Sequence, residues 1–291
     1  MAGTFSWPKG YRCAVCFTWD VDGETGVYFR FPERARMQLS ELHQRLFGPQ
    51  VGVWRILRML EKHRIPATFY VPSYIAQIHP EVVRALVERG YPVGLHGHLH
   101  EAVELLDAQQ ENEVLELSKT ILTGLCGYTP TLYRAPAWEL NRRTPELLVR
   151  HGIRSDSSLM DDEVPYALET PAGPLIQIPI QWALDDAEYW AHSRANRDKP
   201  LTDPQTAFTF WRSEFDGFYR DGGCYVLTLH PFISGRHATM TTIERLVGYI
   251  KSFPDVWWAT MEDVTAHAET LLAAGKLARR ESPPAQPLPP P

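Results

Sequence analysis

Apolar and polar positions run along this chain in two periods that take turns. Residues 12–20 read as a strand with two buryable faces, Val15, Phe17 and Trp19 on one and Ala14, Cys16, Thr18 and Asp20 on the other, as a parallel sheet requires. Val53, Ile56, Leu57 and Leu60 then fall at helical spacing, and 67–71 reads as the next strand. Pro80 opens a helix carrying Val83, Leu86 and Val87, Gly90 closes it, and a short apolar strand leads to His96. The alternation continues with a helix marked by Val114, Leu117, Ile121 and Leu125 and a short strand over 131–134. A helix from Thr144-Pro145 to Gly152 follows, then a strand at 153–155 running into Asp156. Residues 157–203 are irregular: only 175–180 looks extended, and 182–186, with Asp185 and Asp186, fits no element. Asp203-Pro204 then caps a helix with Phe208, Trp211, Phe215 and Phe218 down one side, a stripe that reads as core. A strand over 225–229 ends at His230, and a helix (243–250), a strand (256–259) and a closing helix (261–274) complete the pattern.

Strand and helix alternating seven or eight times predict an α/β fold with a parallel sheet. In a chain of 291 residues that means a closed or nearly closed (β/α) barrel of seven or eight parallel strands. Chemistry in such barrels sits at the C-terminal strand ends. The residues there are Asp20 and Asp22 after the first strand, His96 and His100 after the third, Arg134 after the fourth, Asp156 after the fifth and His230 after a late one. The expected division is an extension at 1–11, a barrel at 12–275 and a proline-rich, unfolded tail at 276–291. Residues 23–50 are too long for an ordinary connection and carry Tyr28, Phe29, Phe31 and Phe47, so they should roof the site or be covered by another subunit.

Composition narrows the function classes. With 44% hydrophobic and 11% aromatic residues the chain can bury a full-sized core. A net charge of −6 and the lack of a basic run argue against a nucleic-acid surface. The start, MAGTFSWPKG, has no apolar core of signal-peptide length, and no run approaches the roughly eighteen apolar residues of a membrane span, so a cytoplasmic protein is expected. Cys13 and Cys16 form a C-x-x-C, but within a strand they face opposite sides, which favours plain buried thiols over a redox pair or zinc knuckle.

Candidate chemistry centres on residues 91–101, which hold three histidines within five positions. His96 and His100 are four apart and can face one point if the backbone turns into a helix there. That is half of a metal site, since a catalytic zinc takes three protein ligands and keeps one position open. The missing donor is sought at Asp20 and Asp22, which the two-residue period of a strand puts on one face.

The ordered set TWDVD (18–22), HGHLH (96–100), RAPAW (134–138) and LTLH (227–230) resembles the motifs of the polysaccharide deacetylase (NodB-homology, carbohydrate esterase family 4) superfamily. The phrases APAWE, SDSSLMDDEVPY and LTLHPFISGR look most like its branch of cytosolic peptidoglycan-deacetylase-like proteins and cyclic-imide hydrolases. The resemblance spans roughly residues 12–270. It implies a distorted NodB-type barrel with one divalent metal ion, Zn2+ by preference, held by Asp22, His96 and His100. It further implies Asp20 as general base, Arg134 as the group that holds this base, His230 as general acid, and a homo-oligomer, often a tetramer. One departure stands out: secreted members have two adjacent aspartates in the first motif, and here Val21 separates them.

These roles are physically coherent. A divalent cation acidifies water and polarises the carbonyl under attack. A carboxylate such as Asp20 can take the proton, kept charged by Arg134, and a histidine such as His230 has the ordinary pKa suited to protonating a departing nitrogen. Asp156 can orient His230 or Arg134, or simply cap a turn. Trp138 and Glu139 can line a substrate pocket, although Trp138 also reads as core. His98 supports the site or lies at the surface, with an exchange of roles with His96 left open. Three functions fit: hydrolysis of a cyclic imide or small amide; N-deacetylation of an N-acetyl amino sugar or peptidoglycan; and iron(II) oxygenation by a two-histidine, one-carboxylate triad, against which the βα alternation counts.

Overall fold

All eight residues of β1 (Cys13–Asp20) are buried in the computed structural model, which describes residues 5–30, 32–193 and 200–282. Phe31, the first four residues and 283–291 of the tail lie outside the described residues. β1 is joined in one sheet by β2 (Ala67–Val71), β3 (Val93–Leu95), β4 (Leu132–Tyr133), β5 (Ser155–Asp156), β6 (Tyr166–Thr170), β7 (Gly173–Gln177), β8 (Cys224–Leu229), β9 (Val256–Trp258) and β10 (Arg279–Glu281). The order is β10-β6-β7-β5-β4-β3-β2-β1-β8, with β9 also on β1. β1 to β5 and β7 to β9 pair in parallel, and β6 runs antiparallel to β7.

Two irregularities make this a distorted barrel. One edge of β1 is shared, Cys13–Val15 pairing with β9 and Phe17–Asp20 with β2, while the other edge carries β8. No ladder joins β7 to β8 among the described residues; instead the run after β7 returns to the sheet, and Asp185 bridges Thr228 of β8. The two faces of β1 enter different cores. Cys13, Val15, Phe17, Trp19 and Val21 pack with the surrounding helices, and Ala14 and Cys16 pack inside the barrel with Tyr70, Ile176, Ile178 and Val226. All four cysteines are buried free thiols.

The helices carry the signals their sequences promise. Helix 108–126 begins with a capping box of Asp107 and Gln110 and ends on left-handed Gly127. Helix 204–221 starts with Asp203 bonding the backbone N–H groups of Gln205 and Thr206 and stops at left-handed Gly222. Its stripe is core, with Trp211 and Phe215 fully buried. None of the helices of the described residues is long and apolar enough to cross a membrane.

The structure corrects several readings. Residues 23–50, for which the apolar pattern predicts no elements, form helices Thr25–Arg30, Pro32–Met37 and Leu39–Phe47 and lead through the turn Gly48–Gly52 into helix Val53–His63. The buried face of helix 108–126 is Glu111, Leu115, Ser118, Leu122 and Cys126, one position away from the expected stripe, and Leu117 is 44% exposed. Polar residues displace that stripe, because Glu111 holds Thr144 and Arg143 while Ser118 Oγ accepts from Ser73. The irregular 157–203 region contains the β6–β7 hairpin. Residues 276–281, grouped with the tail, pair with β6 as β10, where Arg280 bonds Asp161 and Asp162.

Candidate active site

The C-terminal ends of β1, β3, β4 and β8 bring together the residues expected there. Asp20 is the last residue of β1, and Asp22 lies two beyond it, where its carbonyl accepts from the Thr25 hydroxyl at 2.6 Å. His96 follows β3. Gly94 within that strand is required by packing, since an added Cβ would lie 2.6 Å from the Tyr70 ring, and this ring in turn lies 4.4 Å under the Arg134 guanidinium.

The loop after β3 is not the helix that would have aligned His96 and His100. Glu101 accepts from the backbone N–H groups of His98 (2.9 Å) and Leu99 (2.8 Å), and His100 takes a left-handed conformation with φ 57°. This compact turn sets the two rings 5.0 Å apart at 80°. His98 points the other way, its Nδ1 2.7 Å from Ser73 Oγ.

Asp22, His96 and His100 are buried, each offering a ligand atom within 4.8 Å of the others. Asp22 Oδ1 is 3.4 Å from His96 Nε2, and Asp22 Oδ2 is 3.6 Å from His100 Nε2, too long for good hydrogen bonds. Asp22 Oδ1 and His100 Nδ1 are buried without a hydrogen-bond partner. His96 Nδ1 lies 2.8 Å from the carbonyl of Arg134; the ring donates there, which leaves the Nε2 lone pair aimed at the group. Unsatisfied anionic and imidazole donors converging at these distances fit a divalent cation. Burial pushes His100 down to about 4, which favours the neutral ring that can offer a lone pair to a cation. Burial also works to raise the Asp22 carboxyl, but His100, His230 and His96 together hold it well below the usual range.

A second group of possible ligands, Asp185, Asp186 and His230, differs in being satisfied. His230 Nδ1 donates to Asp186 Oδ1 at 2.7 Å, and the backbone N–H of His230 reaches both oxygens of Asp186 at 3.1 and 3.0 Å. Asp185 N-caps the helix Asp186–Trp190, accepting from Ala187 N at 2.8 Å. Burial disfavours a charged His230, yet Asp185, Asp186 and Asp22 outweigh it and raise its pKa well above the ordinary value. Burial raises Asp185 to about 7 and raises Asp186 as well. His230 Nε2 remains directed at the cavity, 3.6 Å from Asp22 Oδ2.

Asp20 is held from the other side. Arg134, fully buried, donates from Nη1 to Asp20 Oδ1 (2.8 Å) and Thr18 Oγ1 (2.9 Å), and from Nε to the carbonyl of Ser157 (3.1 Å). Asp20 Oδ2 faces His96 Nε2 at 3.8 Å.

Asp156 bonds locally, to the residue two positions on, as a turn residue does. It accepts from Ser158 Oγ at 2.6 Å, and no hydrogen bond joins it to His230 or Arg134. Asp186 partners His230 instead. Trp138 does line the cavity and stacks on Trp182 at 4.3 Å, whereas Glu139 is exposed and accepts from the N–H of Leu140. Sequence reasoning missed the pair Asp185-Asp186. A local signal existed for Asp185 as a helix cap; none existed for Asp186.

The cavity above these groups has a volume of about 360 Å³, which suits a small-molecule ligand. Gly26, Val27, Arg30, Glu41 and Arg45 contribute to its lining from above.

The comparisons with known proteins agree with this geometry. The family model for polysaccharide deacetylase matches residues 47–155. A crystal structure from Mycobacterium smegmatis, of a chain assigned to the polysaccharide deacetylases, superposes with a TM-score of 0.92 at 36% identity over 98% of both chains. The peptidoglycan deacetylase of Helicobacter pylori is 29% identical over 77% of this chain and 86% of its own. PuuE allantoinase shares the fold, with a TM-score of 0.81 at 24% identity over 94% of each chain. The chain belongs to the polysaccharide deacetylase family of metal-dependent hydrolases, which act on amide C–N bonds.

Proposed function

We propose that this protein is a zinc-dependent hydrolase of a small cyclic imide or amide, with Asp22, His96 and His100 as metal ligands, Asp20 as base and His230 as acid. The observation that carries the reading is the roofed cavity of about 360 Å³ over the unsatisfied Asp22–His96–His100 group, a size for a compact molecule rather than a polymer strand. Two imidazoles and a carboxylate form a donor set suited to zinc. When bound, the cation supplies a Lewis acid that polarises the substrate carbonyl and acidifies water.

The remaining steps fall to side chains. Arg134 occupies Asp20 Oδ1 and leaves Oδ2 to accept the proton of the attacking water. As the water oxygen bonds the carbonyl carbon, negative charge builds on the carbonyl oxygen; its collapse breaks the C–N bond. His230 Nε2 gives a proton to the departing nitrogen, with Nδ1 anchored on Asp186 so that the ring keeps its orientation and its charge. The stacked Trp138 and Trp182 offer a flat apolar wall for the substrate.

A second reading, N-deacetylation of an N-acetyl amino sugar, uses the same machinery and is favoured by the likeness to the Helicobacter pylori peptidoglycan deacetylase. Metal analysis of the purified protein, followed by kinetics on imides, ureides and N-acetyl sugars, separates the two. The imide reading expects kcat/KM to be highest on a cyclic imide or small amide; a clear preference for N-acetyl sugars overturns it. We also propose a homo-oligomer assembled through the roof helices, where Met37 is 82% and Leu39 68% exposed. Light scattering at the mass of one chain counts against that assembly.

A further inference from the structure

We propose that Arg45 binds an anion and selects substrates that carry a carboxylate close to the scissile C–N bond. This rests on the hydrolase reading above and names the class of substrate for that site.

Arg45 lies on helix Leu39–Phe47 and lines the same cavity as the Asp22–His96–His100 group. Its Nε is buried without a hydrogen-bond partner, and among the described residues it forms no ion pair. Glu41, one turn earlier on the same helix, also faces the cavity and does not pair with it. A guanidinium whose Nε is buried without an acceptor is costly unless a ligand supplies one. Burial pushes the Arg45 guanidinium down, against the charges of Asp22 and Glu41, and Arg30 at the same cavity adds to the depression.

The geometry favours a planar acceptor. The guanidinium lies over the Phe232 ring, 4.1 Å from its centroid, so the ring covers one face and the in-plane N–H edge stays available. That edge matches a carboxylate, which can accept two parallel hydrogen bonds. Phe232 follows His230 by two residues, with their rings 6.0 Å apart, which puts the guanidinium on the side of the proton donor. The turn Gly48–Gly52 that follows the helix is fixed against this loop by close backbone approach: an added Cβ on Gly48 would lie 3.2 Å from Phe232 N, and one on Gly52 2.1 Å from the Pro231 carbonyl oxygen.

Calorimetric titration of the metal-loaded protein with succinamate and with neutral succinamide tests the assignment. Succinamate should bind about tenfold or more tightly than succinamide, and Arg45→Gln should remove most of that advantage at unchanged metal content. Arg45→Lys, which keeps the charge and loses the fork, should retain part of it, and it serves if the glutamine variant does not fold. Equal affinity for the two probes in the native protein overturns the proposal. So does a preference that survives Arg45→Gln, since the carboxylate would then be held elsewhere, for instance by the metal. Turnover of N-acetylmuramic acid against N-acetylglucosamine, and of hydantoin-5-acetic acid against hydantoin, distinguishes a sugar from an imide scaffold; the acid of the productive pair should have the higher kcat/KM. If none of the four is hydrolysed while the succinamate preference stands, the anion site is supported and the cyclic-imide and amino-sugar readings of the substrate are overturned.

Discussion

His230 and Asp186 are joined twice, through the imidazole Nδ1 at 2.7 Å and through the backbone N–H of His230. The doubled contact fixes both the tautomer and the direction of the ring, so that Nε2 faces the cavity. Asp186→Asn keeps the size of the side chain but can present its amide N–H to the ring and favour the wrong tautomer. We expect kcat to fall by about 10²- to 10⁴-fold with metal content unchanged. A variant with near-native kcat would mean that the backbone contact alone orients His230.

Metal binding should divide the three clustered histidines by their partners. His96→Ala and His100→Ala each remove a donor from the unsatisfied group and should leave the purified protein with little metal. His98→Ala should keep it, because the His98 ring is engaged with Ser73. Metal content by plasma mass spectrometry decides, and one ion per chain in both of the first two variants would refute the ligand set. Dialysis against a chelator should abolish turnover, and added Zn2+ should restore it.

Much of this arrangement was legible because β1 obeys a strict period of two inside two cores. Both of its faces are buried, so the residues that end it, Asp20 and then Asp22, arrive at a predictable edge. The residues that were not legible depend on contacts remote in sequence. Asp186 meets His230 only because the run after β7 crosses to β8 through the Asp185–Thr228 bridge. Helix 108–126 was misread by one position because buried Glu111 and Ser118 occupy places that a hydrophobic pattern assigns to apolar residues. Arg45 gave no signal at all, as an arginine on a polar helix looks like surface until the fold turns it over Phe232.

Asp156 should make stability depend on pH. Burial raises its pKa from 3.8 to about 6, against hydrogen bonds from Ser158 and Gln177 and the charge of Arg134. A carboxyl raised on folding costs nothing below its unfolded pKa, where it is protonated in both states. Above the folded pKa the native state must ionise it, at a cost of about 3 kcal/mol, so stability falls as pH rises between about 4 and 6. Asp156→Asn should therefore stabilise the protein by about 1–3 kcal/mol near pH 8 and by almost nothing near pH 4. Urea melts across that range test the sign; a gain that is largest in acid would mean that Asp156 is ionised and paired in the native state.

Asp20 and His230 should respond differently to the leaving group, because they act on opposite ends of the reaction. Asp20→Asn can still accept a hydrogen bond from Arg134 but cannot take a proton from water, so turnover should drop by about 10²- to 10⁴-fold on every substrate while metal is retained. His230→Ala removes the proton donor, and its effect should follow the basicity of the departing nitrogen. The nitrogen of an N-acetylated amine must leave protonated, and there the loss should be about 10³-fold. An imide nitrogen leaves more easily because its second carbonyl delocalises the charge, and there the loss should shrink to about tenfold. The check is kcat measured for both variants on an imide and on an N-acetyl amine of similar size. If the His230→Ala loss is equal on the two, His230 stabilises the charge on the carbonyl oxygen rather than protonating nitrogen. The proton would then have to come from Asp185, the neighbouring carboxyl that burial raises to about 7 and that lies 3.4 Å from His230 Nδ1.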